Sequence, residues 1–192
     1  NARRAVGNKL QFYKHCISEN LPIIPVLCVI SDDCDLLVDG VEVVSTLEHW
    51  KKVCKKLPNE LFVKPIFGAS GIGSFSVLKK NDNYSFAGCR GSDEALFDYL
   101  KERVAPGKGF IIQPRMLTHS SLKGIVSSWG LSTIRVATLR RGGKSEIIMG
   151  CLKIICGKND HDNFSKGKSK NLLAPLNTAT GELGSAWGSL RS

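Results

Sequence analysis

The chain has 192 residues, enough for one medium domain with a core of its own. Lys and Arg number 27 against 17 Asp and Glu, a net charge of +10. An acidic partner (nucleotide, nucleic acid or membrane surface) therefore competes with a plain solvated basic surface. No apolar run is long enough to span a bilayer; the longest, LPIIPVLCVI, holds two prolines.

Taken in chain order, residues 1 to 19 place Leu10, Tyr13 and Ile17 at helical spacing, with Phe12 and Cys16 beside them. The prolines of ENLPIIPV break that helix and lead into an extended run at 26 to 30. SDDCD reads as a loop. STLEHWKKVCKKL opens on Ser45 with Glu48 three residues on, a capping-box pattern. Leu47, Trp50, Val53, Cys54 and Leu57 form its apolar face, and Pro58 ends it. ELFVKPI and SFSVLKK read as strands, NDN as a turn and YSFAG as a hairpin partner. SDEALFDYLKERV is a second helix capped by Ser92. After the loop APGKG comes the strand FIIQPRML. Two long strands then meet at a Gly-Gly turn in STIRVATLRRGGKSEIIMGCLKIICG. Residues 158 to 171 are polar and read as a mobile loop, and TATGELGSAWG as a turn-rich region. Helices mixed with mostly antiparallel strands point to an α+β fold.

Seven cysteines (Cys16, Cys28, Cys34, Cys54, Cys89, Cys151 and Cys156) are spread out, and none makes a C-x-x-C pair. Reduced thiols of a cytoplasmic protein fit better than a disulfide framework or a zinc site. His15, His49, His119 and His161 are equally scattered, and no metal ligands are assigned. The chain opens on Asn1 and is read as a fragment, so the lack of a signal peptide carries little weight.

The stretch FVKPIFGASGIGSFSV carries the chemistry. Glycine-rich loops cradle phosphates because backbone N–H groups can approach an anion unobstructed. Two familiar versions fail here. Gly68 and Gly73 have P-loop spacing, but Ser74 stands where the lysine belongs. The order Gly68, Gly71, Gly73 reverses the dinucleotide fingerprint, and a strand follows rather than a helix. A flap between two antiparallel strands remains. Strand alternation puts Lys64 on one face with Phe62 and Ile66, where a lysine is costly unless it meets an anion. A hairpin with a loose tip and a snorkelling lysine is the plain alternative.

FVKPIFGASGIGSFSV, GFIIQPRM, STIRVATL and DNFSKGKSKNLLAPLNTATGELG, in that order, resemble the ATP-grasp superfamily. The nearest branch is the sugar-transfer-associated ATP-grasp group, related to glutathione-synthetase-like and α-L-glutamate-ligase-like enzymes. NKLQFYKHCISENLPIIPVL resembles that group's entry to the domain, and the resemblance runs from about Asn8 to Trp187. It implies two α+β subdomains gripping ATP and Mg2+, here read as C-terminally incomplete. The segments would be an entry part at 1–60, a small subdomain with the flap at 61–117 and the start of a larger sheet at 118–192. It implies ligation of a small-molecule carboxylate to an amine through an acyl phosphate. Carried over by resemblance, Lys64 and Lys9 would face phosphate. The flap with Gly68, Ser70, Gly71, Gly73 and Ser74 would fold over it. The segment of Gln113, Arg115 and Leu117 would be the hinge whose backbone reads adenine. Arg135 and Lys153 would serve the transferring phosphoryl group, and Asn163 would stand near the intermediate.

Strand alternation lets Arg135 point into a cleft while Ile134 and Val136 pack. Two departures from the family stand out. The late carboxylates that hold Mg2+ in relatives are not found, and Glu182 does not supply them. Lys168 replaces a common glycine and Asn177 a common aspartate. Three readings follow in order: an ATP-dependent ligase or a piece of one, a non-catalytic nucleotide-binding module, and a basic nucleic-acid-binding domain.

Overall fold

The computed structural model describes residues 7–33, 38–104, 108–122, 124–126 and 129–188. Cys34, the first six residues of the expected N-terminal helix and parts of the loops SDDCD and APGKG lie outside them. The chain forms two compact units, Asn1–Arg115 and Met116–Ser192. It is α+β, as the sequence predicts.

In the first unit, α1 (Lys9–Ser18) begins where Asn8 Oδ1 accepts from the amides of Leu10 and Gln11. Its buried stripe is Leu10, Tyr13 and Cys16. Ile17 was expected on that stripe but is exposed, because one residue past Cys16 turns the side chain about 100° off the face. Strand β1 (Cys28–Ser31) is buried throughout and pairs in parallel with β2 (Glu42–Val44). Helix α2 (Leu47–Val53) is capped by Thr46, whose hydroxyl accepts from the His49 amide. The cap therefore falls one residue after the expected Ser45. Strands β3 (Glu60–Pro65), β4 (Phe75–Lys80), β5 (Asn83–Phe86) and β6 (Cys89–Gly91) form an antiparallel run. Helix α3 (Asp93–Lys101) and strand β7 (Gly109–Pro114) complete the unit. The seven strands lie in the order β2-β1-β7-β3-β4-β5-β6, and every pair but β1–β2 is antiparallel.

The sheet packs on both faces, and its neighbouring strands β1 and β7 are buried on both sides. On one face Trp50, Val53, Leu96, Phe97 and Leu100 of α2 and α3 pack on Cys28, Ile30, Val63, Val77 and Ile112. The Trp50 and Phe97 rings stack at 6.3 Å, and the indole N–H donates to Asp93 O at 2.8 Å. On the other face Leu10 and Tyr13 of α1 meet Val29, Ile66 and Ile111. The Ser92 hydroxyl accepts from the Ala95 amide at 3.2 Å and caps α3, as expected. Ser92→Ala is expected to cost about 1 kcal/mol, read as a lower urea midpoint at unchanged slope. An unmoved midpoint would remove the cap from the account of α3.

The second unit is built on β8 (Thr133–Arg141), β9 (Lys144–Ile154) and β10 (Leu172–Leu176), an antiparallel sheet in the order β10-β9-β8. Gly142 and Gly143, both at positive φ, make the expected tight turn between β8 and β9. The core of this unit is Val126, Leu152, Ile154 and Ala174. Ile134 and Val136 were expected to pack, but both are exposed. Val136 stands opposite Gly150, which offers no side chain to cover it. The expected mobile loop at 158–171 is instead tied around Asn171, which is fully buried. Its Oδ1 accepts from the Cys156 amide and from Asn159 Nδ2, and its Nδ2 donates to the carbonyls of His161 and Asn163.

Candidate functional site

In the first unit the alternation of β3 decides what Lys64 faces. Leu61 and Val63 enter the core under α2 and α3, so Phe62 and Lys64 project on the α1 side. Ile66, just past the strand, is buried against Leu10 and Ile111 on that same side. The Lys64 ammonium sits 5.3 Å from the Phe62 ring centroid. Among the described residues no carboxylate pairs with Lys64. Burial, and then the neighbouring charge of Lys9, push its pKa down. The charges of Lys9 and Lys64 thus act on each other at the base of the flap.

Lys9 reaches this place because α1 starts there. Its ammonium donates to Pro65 O and Gly68 O, each at 2.9 Å. The flap follows β3 directly. Gly68 (φ 125°), Ser70 (61°), Gly71 (73°) and Gly73 (73°) all lie at positive φ, which explains the glycines and makes Ser70 the strained member. The amides of Ile72 and Ser74 close short turns onto Ala69 O and Gly71 O. Half-buried cations beside a turn-rich glycine loop form a cradle for a polyanion.

In the segment 113–117, whose backbone is the expected adenine hinge, the side chains make their own contacts within the first unit up to Arg115. Gln113 is buried in β7 and its Nε2 donates to Ile24 O at 2.9 Å. Arg115 donates to Glu60 Oε2 at 2.9 Å and to Ser76 Oγ at 3.2 Å. Both side chains fasten the sheet. Leu117 is exposed and belongs to the second unit.

In the second unit Lys153 lies on β9 opposite Thr133 of β8. Its side chain is 9% exposed and pairs with Asp162 Oδ1 at 3.0 Å. The Thr133 hydroxyl donates to the other oxygen, Asp162 Oδ2. Arg135 is exposed, two residues along the same face as Thr133. Asn163 holds its place through its carbonyl, which accepts from Asn171. Sequence reasoning missed Asp162 and Asn171. The signal for Asp162 was present: a lysine inside the apolar run CLKII requires a counter-ion, and the next acids in the chain are Asp160 and Asp162. Asn171 had no such signal.

Among the described residues no three of His, Cys, Asp and Glu converge on a common point. No set of metal ligands is therefore assigned among them. No helix is long and apolar enough to cross a membrane among the described residues. A family model described as sugar-transfer associated ATP-grasp matches residues 1–188. No curated protein and no solved structure matches the chain.

Proposed function

Because the chain belongs to the sugar-transfer-associated ATP-grasp family, we propose that its first unit binds the phosphates of Mg-ATP and that it works in an ATP-dependent carboxylate–amine ligase. The observation that carries this reading is Lys64: a half-buried ammonium with no carboxylate partner among the described residues, beside a second lysine and a glycine flap. A desolvated cation of this kind is stabilised by an anion. The α- and β-phosphates would meet Lys64 and Lys9, and the loop 68–74 would close over them. The backbone at 113–117 would meet the adenine edge.

Bound ATP would supply a phosphoryl group that activates a carboxylate for attack by an amine. Such transfer is mainly positioning and charge neutralisation. Arg135 and Lys153 would neutralise charge on the transferring group, with Asp162 setting the direction of the lysine. Asn163 would stand by the activated carboxylate.

Equilibrium binding of ATP to the purified chain, with and without magnesium, tests the reading. Micromolar to millimolar binding is expected, followed by ADP release when carboxylate and amine are supplied together. Absence of any ATP binding would defeat the proposal. Binding without ADP release, across a broad panel of carboxylates and amines, would favour a non-catalytic nucleotide module. One observation leans that way: the charge of Lys153 is already balanced by Asp162.

A further inference from the structure

The base of the flap is gripped from two sides. On one side the start of α1 is stitched to it. The Lys9 amide donates to Ile66 O at 2.9 Å, and Asn8 forms an isolated antiparallel bridge with Phe67. The Lys9 ammonium then spans the departure point of the flap, with Pro65 O on the strand and Gly68 O on the loop. On the other side the returning chain packs against the same proline. A Cβ at Gly73 would lie 3.0 Å from Pro65 Cγ, so only glycine fits there without a shift.

We infer that Lys9 is a positioning residue, a latch that fixes where the glycine flap leaves β3 before any nucleotide arrives. A side chain whose purpose was only to meet phosphate would keep its protons for it. Here two of the three ammonium protons are given to backbone carbonyls that bracket the turn, which leaves one for a phosphate oxygen. Docking withdraws the group from water, and its pKa falls accordingly. The same charge presses on Lys64. One side chain thus sets the path of the loop and raises the demand for an anion at its neighbour. The consequence for ligation rests on the nucleotide reading above; the latch itself does not.

Amide hydrogen exchange on the nucleotide-free full chain tests it, read at Ile72 and Ser74, whose amides are bonded within the flap. Lys9→Met is expected to speed exchange there by about tenfold relative to β5, since local opening is controlled by local contacts. Lys9→Arg keeps a charged donor with several N–H groups and should restore the parental rate to within about twofold. Lys64→Met should leave flap exchange unchanged. Equal rates in Lys9→Met and the parent would overturn the latch. So would an acceleration shared equally by β4 and β5, or a Lys9→Arg variant as fast as Lys9→Met. Mg-ATP binding by Lys64→Met is read separately: parental affinity there would sink the nucleotide reading and leave the exchange result to decide the latch.

Discussion

Lys64→Met is expected to weaken Mg-ATP binding by about 10- to 100-fold while leaving the free protein at least as stable as the parent. The first part follows from a charge-assisted contact to phosphate, worth about 1.5–3 kcal/mol at 1.4 kcal/mol per tenfold. The second follows from the sign of the pKa shift. Burial and then Lys9 lower the pKa of Lys64, so the unfolded chain holds its proton more tightly than the folded one. The protonated lysine subtracts from stability below the folded pKa. That deficit shrinks as pH rises from the lowered folded value towards the ordinary lysine range. Methionine keeps the stem's packing and removes the charge. Urea midpoints of the two proteins should therefore differ most at neutral pH and converge at alkaline pH, with Lys64→Met the higher at neutral pH. A variant that is less stable at neutral pH and binds ATP normally would assign Lys64 to packing alone.

Asp162→Ala is expected to cost the second unit about 3–5 kcal/mol, the penalty of leaving a buried charge unpaired. Lys153 is 9% exposed and Asp162 21%, so solvent screens the pair little. Thr133 loses its acceptor in the same step. The double variant Asp162→Leu, Lys153→Met should recover most of the loss, because replacing both members avoids the orphaned charge. Amide exchange along β9 measures the effect within its own unit. Unchanged exchange in Asp162→Ala would mean that Lys153 finds water at no cost.

The elements legible in the sequence are those whose cause is local. Ser92 caps α3 because its hydroxyl meets an amide three residues away. Gly142 and Gly143 turn the β8–β9 hairpin because both need positive φ. Lys64 shares a face with Phe62 because a strand has period 2. Ser45 and Thr46 are both good caps, so local chemistry could not choose between them. The choice of Thr46 accompanies the burial of Trp50 and Val53 against α3 and the sheet, which sets the phase of α2.

The parts that were not legible depend on partners far along the chain. Nothing in the sequence signals that the Arg115 side chain meets Glu60 and Ser76, which the pairing of β3 with β7 and β4 brings beside it. The polar composition of 158–171 suggests mobility, yet Asn171 makes with one amide the bonds a ladder would otherwise make. Alternation assigns Ile134 and Val136 to one face but cannot say whether that face is covered. The sequence by itself determined the family, the α+β class, the glycine flap and the lysine before it, because each is written in short-range pattern. Only the tertiary structure decided that Lys9 spends its ammonium on the flap's backbone and that Asp162 answers Lys153. Hydrogen bonds and ion pairs are settled by distances of a few ångströms, and residues 56 or 59 positions apart acquire those distances only when the sheet forms.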